Sequence, residues 1–284
     1  QTFSFSSLAN ALEEKVGIGV FNEDTLKTLG LLPAKGDFNN AAALLADKND
    51  FSGIDMARFG QDVNNILDRS TCAGLSVLVQ LASALEMFDR YYSYERIEGF
   101  KRENHERIPR EAFREAVANA LVHRMWDVSA HIRISMFDNR VEIVSPGGLP
   151  RGVTTEDYLS GNLSILRNPV LASVFFRLGI IEQFGTGIRR IKESYVRTGT
   201  RPRFEITGGS ITVVLPVTDA EPLLDADEKA IMSLLLPGRL LSRSQITDAC
   251  GFGRDKTLRV LKQLEKKNLV VVQGAGRGTR YARA

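Results

Sequence analysis

The sequence predicts an α+β protein of more than one domain, on three observations. Helix-periodic segments dominate the first ninety residues, strand patterns alternate with helices after about residue 130, and the last sixty residues carry a local excess of positive charge. At 284 residues the chain exceeds one ordinary domain. The composition, 43% hydrophobic and 25% charged, is that of a folded protein rather than a disordered one. No apolar run is long enough for a membrane helix. The first twenty residues lack the basic-then-apolar pattern of a secretory leader, although the chain starts at Gln1 and reads as a piece of something longer. Two unpaired cysteines, Cys72 and Cys250, argue against a disulfide framework and for a reducing, cytoplasmic setting. His105, His123 and His131 have no metal-ligand spacing.

Punctuation divides the chain into 1–104, 105–218 and 219–284. In the first segment, helical patterns at 5–16, 23–29, 39–46 and 75–90 are broken by Gly, Pro and Asp turns, and 91–100 has strand character. The second opens with Ile108-Pro109 and a helix whose Ala112, Phe113, Ala116, Val117, Ala120 and Leu121 share one face. Alternation over 131–137, Asp138-Asn139-Arg140, and 141–144 then predict a β-hairpin. A loop of Ser145-Pro146-Gly147-Gly148-Leu149-Pro150 follows, then helices at 168–178 and 188–196 flanking Gly185-Thr186-Gly187. Two strands, 203–207 and 210–216, close the segment.

Charge is unevenly distributed. Residues 225–284 hold twelve Lys/Arg against six Asp/Glu, a net of +6, so the remainder carries −3 of the formal +3. A helix at 227–236 stops at Pro237-Gly238. Ser242 and Gln245 form a capping-box pair at the start of the next helix, which ends at Gly251. A third helix, 254–268, has Leu258, Leu261 and Leu264 on its apolar stripe; an apolar strand and a Gly/Arg-rich turn follow. This order of elements resembles the winged helix-turn-helix family. The resemblance implies double-stranded DNA as partner, with Arg254, Lys256, Arg259 and Lys262 on the helix that enters the major groove and Arg277 and Arg280 against phosphates. A solvated charged face used for protein contacts is the alternative.

Within the middle segment, Glu115, Asn119 and His123 stack at four-residue spacing on one helix side. A carboxylate beside a carboxamide suits magnesium-nucleotide chemistry: Glu115 to activate water, Asn119 to hold the metal. The competing reading is a solvated polar helix face, with glycines that serve turns and packing. The segments 114–124, 145–150, Arg167-Asn168-Pro169 and 182–188 together resemble the GHKL ATPase superfamily of gyrase B, MutL and sensor kinases. They are closer still to bacterial transcriptional regulators of the RecG-like, Schlafen/AlbA type. That resemblance implies a GHKL-like α/β sandwich at 105–218, preceded by a mixed segment that is the tail of an AlbA-like domain, and followed by the winged helix. It implies ATP and magnesium as cofactors, with Glu115 catalytic, Asn119 on the metal, and Gly147, Gly148, Gly185, Thr186 and Gly187 around the nucleotide. A homodimer is also implied. One departure stands out: Ser145 occupies the place where the superfamily puts an aspartate against adenine. A Walker A sequence is absent, which argues against a helicase motor. Three functions follow as expectations: a regulator with a ligand-sensing domain, an ATPase acting on DNA, or an inactive scaffold.

Overall fold

A computed structural model describes the chain except residues 1–2, 34, 99–100, 162–164, 183–184, 197, 219–223, 237–238, 268, 275 and 284. It comprises two compact units, Gln1–Arg197 with Arg201–Thr218, and Thr198–Thr200 with Asp219–Ala284. Among the described residues, no helix is long and apolar enough to cross a membrane.

The first unit opens with three helices, α1 (Ser6–Val16), α2 (Glu23–Thr28) and α3 (Asn40–Leu45). Asn22 and Asn39 cap α2 and α3 by accepting the amides of Thr25 and Ala42. There follow β1 (Ile54–Phe59), β2 (Ile66–Cys72), α4 (Val77–Tyr92), β3 (Ser93–Glu98), β4 (Lys101–Glu106) and α5 (Arg110–His123). The unit is completed by β5 (Ile132–Met136), β6 (Arg140–Pro146), α6 (Thr155–Ser160), α7 (Pro169–Arg177), α8 (Gly187–Ser194), β7 (Arg203–Ile206) and β8 (Ser210–Pro216). Six strands make one mixed sheet in the order β2-β1-β5-β6-β8-β7, parallel between β1 and β5 and antiparallel elsewhere. The α+β class expected from the sequence is therefore present. Among the described residues, strands β3 and β4 pair only with each other.

The boundary expected after residue 104 falls inside this unit. Strand β1 lies in register with β5, Ile54 beside Ile132 and Met56 beside Ile134, so the N-terminal segment contributes two strands to the same sheet as the middle segment. Alternation then sorts the side chains. Ile54, Met56, Ile132, Ile134, Met136, Val141 and Ile143 are buried, whereas Arg133 on the opposite face is exposed.

Helix α5 is the centre of the core. Nine of its fourteen residues are buried, from Ala112 round to Val122, because β6, α4 and α8 cover it from different sides. Phe113 stacks on Phe88 of α4 with ring centroids 4.2 Å apart, and Phe88 stacks in turn on Tyr92. The C-terminal end of α5 is held by polar ties. Arg124 is fully buried and donates to the carbonyls of Ser52, Val128 and Ala130 while its guanidinium lies 4.2 Å from the Trp126 ring. Burial pushes its pKa down to about 10, which still leaves it charged at neutral pH.

The second unit contains α9 (Ala226–Leu234), α10 (Arg243–Cys250), α11 (Arg254–Lys266), β9 (Val270–Gln273), a 3₁₀ turn at Gly276–Gly278 and β10 (Arg280–Arg283). Ser242 and Gln245 form the expected capping box, and Asp225 with Glu228 forms a second at the start of α9. The core is Ile231, Leu235, Ile246, Val260, Leu261, Leu264 and Val270. On α11 the buried stripe is Thr257, Val260, Leu261 and Leu264, with Leu258 only part-buried, one step round from the Leu258-Leu261-Leu264 expectation. The apolar surface facing α11 comes from α9 and α10, and it selects the 257/260/261/264 ridge. Leu241 adds a two-way backbone bridge to Tyr281, extending the β9–β10 hairpin by one pairing.

Phe113→Ala removes the α5 end of the aromatic stack and leaves a cavity between α4 and α5. Its expected cost is about 3–5 kcal/mol, read as a lowered urea midpoint for the whole chain.

Candidate functional site

A cavity of about 200 Å³ lies beside α5, over the ends of β6 and β8. Small residues make the space: Ala116 and Ala120 on α5 and Ala172 on α7 form part of the wall, with Ile143, Ile211 and Val213 from the sheet. Asn119 and His123 reach it from the same side of α5, as their four-residue spacing predicts. Both glycine segments arrive there too, through Gly148, Gly185 and Gly187.

Glu115 takes a different position. It is 2% exposed, does not line the cavity, and accepts from the Asn119 side-chain amide through Oε1 at 3.2 Å. Among the described residues, its Oε2 has no hydrogen-bond partner, and it lies 3.7 Å from the Arg114 guanidinium. Desolvation raises its pKa, opposed by Arg114, Arg190 and the Asn119 bond. The solvated-face alternative therefore fails for Glu115: neighbouring helix α8 covers it. Gly187, the first residue of α8, permits that cover. A Cβ there would sit 2.4 Å from Asn119 Nδ2 and 2.5 Å from Glu115 Oε1, so any larger residue would have to displace the ends of these two side chains. Thr186, just before it, has a buried and unpartnered Oγ1 and does not face the cavity.

The first glycine segment also packs tightly. Gly147 donates its N–H to the Gly209 carbonyl at 2.8 Å, and a Cβ on Gly148 would fall 2.6 Å from the Gly208 carbonyl oxygen. Ser145 is buried, faces the cavity, and donates to the Ala120 carbonyl at 3.3 Å. Burial pushes the His123 pKa down to about 4, with the Arg167 charge adding to it, so the ring is neutral at physiological pH.

Arg167-Asn168-Pro169, noted in the sequence only as a motif, has a concrete structural task. Asn168 donates its amide to the carbonyls of Val122 and Arg124, closing the last turn of α5. Arg167 donates to the His123 carbonyl at 3.1 Å and to that of Gly148 at 2.9 Å, clamping the glycine loop to the helix. Pro169 starts α7. Tyr158 on α6 and the apolar residues Ile165, Leu166 and Phe176 complete the mouth; sequence reading did not identify any of them.

The basic residues of the second unit are distributed around α11 and the hairpin. Arg254, Arg259 and Lys262 are exposed on α11, and Arg280 is exposed at the start of β10. Lys256 is not free: it pairs with Asp227 of α9 at 2.7 Å and lies 4.2 Å from the Phe252 ring. Arg277 lies in the 3₁₀ turn, and its side chain is outside the described residues. Arg243, Lys266 and Arg283 are exposed additions that the sequence reading passed over.

Residues 129–215 match the family model described as "Putative ATP-dependent DNA helicase recG C-terminal". An ATPase-like domain of the RecG C-terminal type is thus present. The fold is similar to the crystal structure of the DIP2311 protein from Corynebacterium diphtheriae, with a TM-score of 0.67 and 22% identity. The match covers 98% of this chain and 61% of that one, so this chain spans about three fifths of its length. No curated protein matches.

Whether the site fits magnesium-ATP can be judged from its donors. The ring half of such a site is built: an apolar slot between α5 and the sheet. The phosphate half does not fit as arranged. Glu115 is sealed away from the cavity, its carboxylate stands where the N-terminus of α8 would otherwise meet an anion, and Arg167 is committed to two carbonyls. Among the described residues, no group of three or more His, Cys, Asp or Glu is placed to hold a metal ion.

Glu115 has a pH signature. Its raised folded-state pKa means that it supports folding fully below the unfolded carboxylate range, near about 4.3, and that this support is lost as pH rises through the folded value. Glu115→Gln keeps the acceptor for Asn119 and removes the charge. We expect its melting temperature to exceed that of the parent at pH 8 and to match it near about pH 4. A deficit at pH 8 would show that the charge is needed by the fold.

Proposed function

We propose that this protein is a DNA-binding regulator in which the second unit is a winged helix and the ATPase-like domain serves as a ligand sensor. The observation that carries the reading is the exposed cation set Arg254, Arg259, Lys262 and Arg280 on a segment, residues 225–284, with a net charge of +6. Three helices followed by a β-hairpin, with Leu241 bridged to the hairpin, match the winged-helix order of elements. In that geometry α11 lies in the major groove, Arg259 and Lys262 face the duplex, and Arg280 approaches a phosphate from the hairpin.

The second reading expected from sequence, an ATPase acting on DNA, needs a carboxylate at the cavity to orient water. Glu115 does not line it, and Glu182, which does, is paired with Arg190, so the sensor reading is favoured.

The full chain titrated with a fluorescent duplex at several salt concentrations tests the proposal. Affinity should fall steeply with salt, and Arg259→Ala and Lys262→Ala should each weaken binding and reduce the salt slope by about 1. Absence of salt-sensitive affinity for any duplex overturns the reading.

A further inference from the structure

The cavity of the ATPase-like domain has a chemical character of its own. Its walls are Ala116, Ala120, Ile143, Ala172, Ile188 and Val213, and its mouth is apolar: Ile165, Leu166 and Phe176 there are 41%, 43% and 41% exposed. Water-facing apolar side chains gathered at the entrance of an apolar slot mark a place that gains by being covered. At about 200 Å³ the space falls below the roughly 300–1,000 Å³ usual for drug-sized ligands, so it suits one compact ring system.

The polar groups around it are largely committed. Asn119 donates to Glu115, Ser145 to the Ala120 carbonyl, Arg167 to the His123 and Gly148 carbonyls, and Glu182 pairs with Arg190 at 2.6 Å. Among the described residues, Arg167 is the one cationic side chain in the lining. His123 and Tyr158, the two titratable rings in the lining, are both neutral near pH 7: burial lowers the first to about 4 and raises the second to about 12. Among the described residues, a polyphosphate placed here would meet no uncommitted cation in the lining and would lie close to the sealed Glu115 carboxylate. Desolvating several negative charges without such partners is strongly unfavourable.

We propose that this cavity binds an uncharged, predominantly apolar ring compound and discriminates against nucleoside polyphosphates. Seated there, the ring lies against Ala116 and Ala120, its rim covered by Ile165, Leu166 and Phe176, with Ser145 and the neutral His123 supplying the polar contacts. The assignment deepens the sensor reading and rests on it for biological meaning, but binding itself is measured without DNA.

Prodan, a neutral fluorophore built on one naphthalene ring system, serves as the probe on the whole 284-residue chain. Its fluorescence should rise saturably at one site. Ser173→Trp and Ile165→Glu, both at exposed lining positions, should each weaken it by about tenfold while leaving the melting temperature unchanged. Magnesium-ATP at about 1 mM should neither displace the probe nor raise the melting temperature. Displacement or stabilisation by magnesium-ATP overturns the proposal, and so does probe binding that both variants retain. If the probe binds in this way while no duplex does, the ligand assignment stands and the regulator reading falls.

Discussion

The close approach of α8 to α5 is the constraint on which the first unit depends. An alanine-rich helix can be buried on several sides only if its neighbours come near enough to leave no gap, and here the nearest is admitted by a glycine at the start of α8. That contact fills the volume beside Glu115 and Asn119, fixes how deep the cavity reaches, and takes the carboxylate out of water. The same packing that stabilises the core therefore decides which part of an ATPase-like site remains open. The apolar slot persists because α7 and the sheet bound it, and the polar half is consumed by helix contact.

Much of the architecture was legible in the sequence because it rests on periodicity and punctuation. Helix α5, the β5–β6 hairpin and the capped α10 all appear where apolar spacing, Asp138-Asn139 and the Ser242/Gln245 pair place them. Strand β2 was not legible, since it is an edge strand whose Ile66 and Leu67 are exposed and whose alternation carries no burial signal. Strand β1 did carry one, with Ile54 and Met56 buried at alternate positions. Its parallel pairing with β5 is a long-range fact that no local pattern encodes.

At the site, spacing along one helix was a sound guide to which residues share a side and a poor guide to which face the cavity. Glu115, Asn119 and His123 do share a side of α5; only the latter two line the space. The difference arises from α8, more than sixty residues away in the chain. Likewise Arg167 and Asn168 belong to a motif whose physical content, closure of the final turn of α5, becomes visible only when that turn is in place. The apolar mouth residues carried no signal because isolated hydrophobic residues in loops are commonplace.

The pairing of Lys256 with Asp227 has a consequence for recognition. By bracing the first turn of α11 against α9 before any partner arrives, it fixes the direction in which the exposed arginines are presented. Were the proposed duplex to meet it, a surface already rigid would forfeit little freedom on docking, and more of the electrostatic attraction would survive as affinity.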